Sequence, residues 1–206
     1  MPLEPVINVC IPFDPGANLG GEYNRIMEES KREWVLFLDH DVLILNPHWY
    51  LLCQEAIRKH PDAGLFTAFG SAGGSKFQRI GGTPARGQSI LVHRGLAKKI
   101  FQKHGFSLTE NNPSDRKALI SGFFMLTSKT AWKKAGGFGN MGLFAQDHLY
   151  HRRIAAAGLK CYRIDGIYCY HLLERVDGSW IRFQKTSKEL WTEYWRMKRF
   201  RKRPGR

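Results

Sequence analysis

The chain has 206 residues, 43% of them hydrophobic and 13% aromatic, enough for one sizeable core and too apolar for a disordered segment. Lys and Arg number 32 against 18 Asp and Glu, a formal charge of +14, which favours an anionic partner (nucleic acid, an anionic membrane surface or a phosphorylated substrate) without choosing among them. No run of roughly 18 apolar residues exists, so no transmembrane segment is expected, and the opening MPLEPVINVC has no basic region followed by an apolar stretch, so no signal peptide is expected either.

In chain order, residues 5–13 (PVINVCIPF) are β-branched and apolar and predict a first strand ending near Pro12. A turn-rich loop then leads to a predicted helix over 21–33, with Tyr23, Ile26 and Met27 on one face. Residues 34–39 (WVLFLD) are an unbroken apolar run, as expected of a strand covered on both faces. Asn46 and Pro47 open a second helix over 48–60, and 63–70 (AGLFTAFG) form a third strand. Residues 71–89, rich in Gly, Ser and Thr, read as a long loop. A helix over 93–105 ends at Gly105, 109–117 is polar and turn-like, and 118–128 (ALISGFFMLTS) is another buried strand. A short helix stops at Gly136, and a further helix, AQDHLYHRRIAAAG, closes at Gly158. Residues 160–171 supply one or two final strands, and 180–201 a helix combining aromatics with cations. No internal repeat is visible. Alternating strands and helices predict an α/β sandwich with a largely parallel central sheet.

The four cysteines, Cys10, Cys53, Cys161 and Cys169, have neither CxxC nor zinc-finger spacing and fit reduced, buried thiols of a cytosolic protein. The tail 196–206 carries basic residues and no acid, which suits a solubilising tail or an anion-binding one.

Asp39 and Asp41 stand where the second strand ends. Two carboxylates there repel each other and lose solvation, so something positive must offset them. Folds of this class bind ligands beyond the carboxyl ends of their strands, and the loop from Asp14 to Gly21, after the first strand, should lie beside the pair.

The ordered segments IPF, NLGGEYNRIME, VLFLDHDV, SGFFMLTSKTAWKKAGGF, QDHLYHRRIAAAG and YH, from about Val6 to His171, resemble the GT-A-fold glycosyltransferases of the family-2-like group. The resemblance implies a single GT-A (Rossmann-like) domain over 1–175, with a mostly parallel central sheet flanked by helices, and leaves 176–206 as a basic aromatic helical extension. It implies Mn2+ or Mg2+, bound by Asp-x-Asp and bridging the diphosphate of a nucleotide-sugar donor, most often a UDP-sugar. Asp41 is then the direct metal ligand. Asp39 meets the metal, a metal-bound water or the ribose, and His40 points away. His171 matches a metal-binding His of some members; a hydrogen-bonded core His is the other reading. Pro12, Phe13 and Asp14 match the base-binding end of the first strand. There Phe13 packs on the base and Asp14 accepts its imide N–H, unless Asp14 only starts the turn. Asn18 and Asn24 match the loop and helix beside the nucleotide. Gly122 matches the sugar pocket, and Gly136, Gly137 and Phe138 the turn after it. Asp147 takes the place of the general base of inverting members, at a helix start that favours negative charge; Gln146 replaces the usual Glu before it. Of Arg152 and Arg153, one meets the diphosphate, with Arg152 preferred, and the other faces solvent.

The implied reaction is metal-dependent, inverting sugar transfer to a hydroxyl. A glycan or lipid-linked acceptor is favoured over DNA, with the protein in the cytoplasm, at the inner membrane surface where the acceptor is lipid-linked. Two rivals remain at this level: a nucleic-acid-binding module that keeps only the fold, and a nucleotidyltransferase, which also uses paired carboxylates and metal.

Overall fold

One mixed sheet of seven strands organises the described residues of the computed structural model, which are 6–16, 18–72, 75–81, 89–111, 118–139 and 146–172. The expected helix over 180–201 and the extension 176–206 lie outside them. In chain order the elements are β1 (Ile7–Cys10), α1 (Leu19–Glu29), β2 (Trp34–Leu38), β3 (Val42–Ile44), α2 (Trp49–Lys59), β4 (Leu65–Gly70), a 3-10 turn (Lys76–Gln78), α3 (Ile90–His104), β5 (Leu108–Glu110), β6 (Phe124–Ser128), α4 (Lys129–Ala135), α5 (Gln146–Ala156) and β7 (Cys161–His171). Strand order is β1-β2-β6-β4-β7-β3, with β5 also paired to β7.

Strands β1 and β2 are parallel, β4 and β7 are parallel, and β6 runs antiparallel to both β2 and β4. So β1, β2, β4 and β7 share one direction, the main direction expected from the sequence, and β6, β3 and β5 oppose it. The reversal at β3 is forced locally: a tight turn closed by Val42 N–H donating to the Asp39 carbonyl (3.2 Å) turns the chain back at the end of β2. With four strands pointing one way and β6 reversed among them, the carboxyl ends of β2, β4 and β7 and the entry to β6 meet at one end of the sheet.

The unbroken apolar run of β2 is buried because both faces are covered. Trp34 and Leu36 point into one cluster with Leu52, Phe66, Phe124 and Ile164, while Val35 and Phe37 point into another with Tyr23, Met27, Met125, Phe138 and Tyr150. In the second cluster Phe138 stacks on Tyr150 (3.9 Å between centroids) and on Tyr23 (4.6 Å). Its position is set by Gly136 and Gly137, both left-handed (φ 76° and 74°). A side chain at 137 would also come within 3.0 Å of Asn24 Oδ1. Cys53, Cys161 and Cys169 are buried in these cores, as expected, and burial pushes their thiols up. No helix among the described residues is long and apolar enough to cross a membrane.

Several boundaries differ from those expected of the sequence. β3 and β5, three residues each, fall where no strand was expected, and α3 begins at Ile90, one turn early. Only the second half of 118–128 is strand; residues 118–123 are irregular and tied down by side chains. The N-cap of α2 is His48 rather than Asn46. Asn46 stands further out, accepting from His48 N–H and donating to the Gly166 carbonyl, both at 2.8 Å.

Candidate metal and catalytic site

The turn after β2 carries Asp39, His40 and Asp41. Asp39 N–H donates to the Phe123 carbonyl (3.4 Å), tying it to the lead-in of β6. β3 then pairs with β7 so that Val42 faces His171, and Leu172 N–H donates to the Asp41 carbonyl (3.0 Å). This register sets His171 Nε2 3.1 Å from Asp41 Oδ1 and 3.8 Å from Asp39 Oδ2. The Asp39, Asp41 and His171 side chains are 37%, 22% and 6% exposed, so two half-buried acids face a buried imidazole. His40 is exposed, as alternation predicted.

His171 is oriented from behind by the chain that leaves β4. Its Nδ1 lies 3.3 Å from the Ala72 carbonyl. Ser71 Oγ accepts from His171 N–H (2.9 Å) and donates to its carbonyl (3.3 Å). A carbonyl only accepts, so the Nδ1 contact assigns a proton to Nδ1; a cation between the ring and the acids would then take the lone pair of Nε2, displacing any proton that Nε2 shares with Asp41. One donor atom from each of Asp39, Asp41 and His171 lies within 4.8 Å of the others. Metal–ligand bonds of about 2.0–2.2 Å hold ligand atoms within about 4.4 Å of each other, so a small closure completes the set. Two hard carboxylates with one neutral imidazole fit a divalent cation, and the carboxylates suit Mg2+ or Mn2+.

Asp147 lies in the first turn of α5. Its Oδ2 accepts from Gly122 N–H and its Oδ1 from His148 N–H, each at 2.7 Å. Each oxygen keeps a second lone pair. A Cβ on Gly122 would come within 3.2 Å of Asp147 Cβ, so the absent side chain at 122 is what lets the carboxylate reach the backbone. Gly122 holds Asp147 and its neighbour Phe123 holds Asp39, so one dipeptide links the two acidic centres. The buried Tyr23 hydroxyl lies within electrostatic reach of both: burial, then the charges of Asp39 and Asp147, hold its proton well above the usual phenol range.

The other expected site residues are spread along the same end. Pro12 is half-buried and Phe13 is 76% exposed just beyond β1. Asp14 accepts from Gly16 N–H (3.0 Å) and Asn18 N–H (2.5 Å), so its carboxylate starts the turn. Asn18 caps α1 by accepting from Gly21 N–H (3.1 Å). Asn24 is spent on the glycine turn: Oδ1 accepts from Trp132 Nε1 (2.9 Å) and Phe138 N–H (2.8 Å), and Nδ2 donates to the Phe138 carbonyl (3.1 Å). Arg153 donates to the carbonyls of Gly136 and Gly137, both at 2.9 Å, while Arg152 is half-buried on α5. Gln146 is buried where α5 begins. Sequence reasoning missed Ser71, Ala72, Phe123 and the electrostatic place of Tyr23. Ala72 and Phe123 act through backbone carbonyls, which leave no trace in residue type.

These residues define an α/β protein with two acids and an imidazole gathered at the strand ends, a candidate cation site, and the Asp147 carboxylate tied to the same segment. No family model and no curated protein matches the chain. Solved structures similar to it include a mutant of the Drosophila beta-1,4-galactosyltransferase 7 in complex with manganese, UDP-Gal and xylobiose, at 14% identity and TM-score 0.46, over 85% of this chain and 58% of that one. They also include S. aureus TarS 1–349, at 15% identity and TM-score 0.47, over 74% of this chain and 40% of that one, and the same piece in complex with UDP, over 75% and 40%. The chain thus spans between two fifths and three fifths of the length of these structures.

Proposed function

We propose that the chain is a metal-dependent, inverting glycosyltransferase that moves a sugar from a nucleotide-sugar, a UDP-sugar first among them, to a hydroxyl acceptor. The observation that carries this reading is a convergence. Asp39, Asp41 and His171 gather their donor atoms within 4.8 Å at the strand ends, and Asp147 hangs from the same Gly122–Phe123 segment that holds Asp39. The resemblance in motif order supplies the reaction class.

Asp41, Asp39 and His171 would hold a divalent cation, which would supply positive charge against a diphosphate leaving group. Asp147 takes the acceptor proton as the hydroxyl oxygen forms its bond to the anomeric carbon. The bond from that carbon to the diphosphate oxygen breaks, its electron pair leaves on the nucleoside diphosphate, and the proton stays on the Asp147 carboxyl. Attack on the face opposite the leaving group inverts the centre. Gly122 N–H keeps the carboxylate aimed, which matters because orientation supplies much of such a barrier reduction. In this reading Phe13 packs on the base beside Pro12 and Asp14, Asn18 and Asn24 shape the nucleotide loop, and Arg152 meets the diphosphate.

The acceptor we favour is a glycan or lipid-linked one, met in the cytoplasm at the inner membrane surface. Helix α3 supports an anionic partner: Arg94, Lys98, Lys99 and Lys103 are exposed on it, and it contains no acid. Exposed Ile90, Leu91 and Val92 in its first turn favour lipid over DNA. The cation row keeps duplex DNA as the second reading.

The test is a panel of nucleotide-sugars with Mn2+, scored for free nucleoside diphosphate, alone and with lipid extract, glycan or duplex DNA. Acceptor-dependent release of UDP is the expected result. Pyrophosphate release from a nucleoside triphosphate and a sugar phosphate would establish nucleotidyl transfer instead. DNA binding indifferent to Asp41→Ala, with no turnover, would leave only a binding module.

A further inference from the structure

The chain that leaves β4 reaches both halves of the site. At its start Ser71 and Ala72 orient His171. At its far side the 3-10 turn presents Gln78, which is 1% exposed. All four hydrogen-bonding positions of that amide are filled. Nε2 donates to Thr67 Oγ1 (2.7 Å) and to the Ser121 carbonyl (3.0 Å), while Oε1 accepts from Ser121 N–H (2.8 Å) and Ser75 N–H (3.3 Å). The amide thus grips both backbone groups of Ser121, as a neighbouring strand would, in a stretch where no strand neighbour does so.

The two residues after Ser121 connect this grip to the site. Gly122 N–H holds Asp147 Oδ2, and the Phe123 carbonyl accepts from Asp39 N–H. The turn that carries Gln78 is itself fixed from the other side. Arg163 donates to the Phe77 carbonyl and lies 4.9 Å from the Phe77 ring and 3.9 Å from the Phe69 ring. Arg163 is held in turn by Asp165 at 2.7 Å. Gln78 therefore cannot shift without disturbing a largely buried ion pair, and Ser121 cannot shift without leaving Gln78.

We propose that Gln78 is a positioning residue: it fixes the Ser121 peptide so that Gly122 N–H holds the Asp147 carboxylate in one orientation relative to the Asp39–Asp41–His171 cradle. The catalytic consequence rests on the sugar-transfer reading; the geometric claim does not. A core amide that served stability alone would lower the unfolding midpoint without moving Asp147.

The test uses the full chain and reads the Gly122 amide proton by NMR, with kcat, KM and Mn2+ affinity alongside. Asp147→Asn shifts that resonance upfield by weakening its hydrogen bond and sets the scale. Gln78→Leu is expected to shift it by a comparable amount. It should leave Mn2+ affinity and donor KM within about twofold and lower kcat about tenfold or more, the cost of a misaimed group. Thr67→Val, which removes a partner of the amide but not its hold on Ser121, is expected to lower the unfolding midpoint and leave Gly122 and kcat in place. If Gln78→Leu does not fold, Gln78→Glu, which keeps the accepted bonds and loses the donated ones, takes its place and is expected to show a partial shift. An unmoved Gly122 resonance in a folded Gln78 variant overturns the proposal, as does a moved one with unchanged kcat in an active enzyme. If the native protein turns over no nucleotide-sugar, the sugar-transfer reading fails separately, and the Gly122 resonance still decides the geometry.

Discussion

His171 Nε2 stands 3.1 Å from Asp41 Oδ1 because β3 pairs with β7 and the Ala72 carbonyl holds the far side of the ring. This pair makes the site more than two acids at a strand end. His171→Ala is expected to weaken Mn2+ binding by at least about tenfold, the scale on which even a supporting contact of a metal ligand counts. Asp41→Ala is expected to weaken it further and with it metal-dependent donor binding. Calorimetry with Mn2+, then with Mn2+ and UDP, measures both; affinities unchanged in the two variants would remove the cradle.

Asp147→Asn keeps the shape of the side chain and can keep its contact with Gly122, but it cannot take up a proton as a carboxylate does. Donor affinity should stay within about twofold while transfer falls by roughly 10²–10⁴, the usual worth of a positioned general base. Equal transfer by the variant would show that another group removes the proton.

His151, one turn beyond Asp147 on α5, is 3% exposed, and neither ring nitrogen has a hydrogen-bond partner among the described residues. Burial first, then the charges of His148 and Arg152, push its pKa down to about 4. The unfolded chain, titrating near 6.5, binds this proton more readily than the folded one, so stability is full above about pH 6.5 and falls as pH drops toward 4. The loss from this residue alone approaches about 3 kcal/mol. Urea midpoints measured from pH 7 to 4 should fall steeply for the native chain and more shallowly for His151→Leu. Parallel curves would mean that His151 does not titrate in this way.

Gly137 combines a left-handed backbone (φ 74°) with a 3.0 Å approach to Asn24 Oδ1. Gly137→Ala should cost about 1–2 kcal/mol from the backbone alone, and more if the Asn24 bonds to Trp132 and Phe138 loosen. Gly81→Ala, with nothing within 4 Å of its added carbon, is the matched control and should lie within about 0.5 kcal/mol of the native chain. Denaturant unfolding of the two variants decides it.

Much of this arrangement was legible in residue order. The unbroken run before Asp39 marked a doubly covered strand, the helix carrying Asp147 showed its start and its stop, and Gly136 marked the end of α4. What stayed hidden had physical reasons. β3 is three residues long, too short for any periodicity, yet its pairing decides where His171 goes. The apolar stretch 118–123 looks like strand because it is buried, but its backbone is satisfied in part by the Gln78 side chain, which lies far away in sequence. Asp14 and Asn24 are polar residues near the expected nucleotide, but their atoms are engaged in a turn and in the Phe138 anchor. Sequence type alone does not tell a polar group that waits for a ligand from one that secures the chain.

β7 serves two neighbours along one edge, β5 against its first half and β3 against its last three residues, with a register irregularity opposite Ala68 and Phe69 between them. Alternation along a strand makes a slip of one residue exchange its two faces. A chain that closed β3 on β7 one step out of line would offer Tyr170 or Leu172 to the acids in place of an imidazole. Such a molecule would keep its secondary structure and most of its core, and the two acids would be left without their third donor. On the proposed function, manganese affinity would therefore report a fault of folding that circular dichroism would miss.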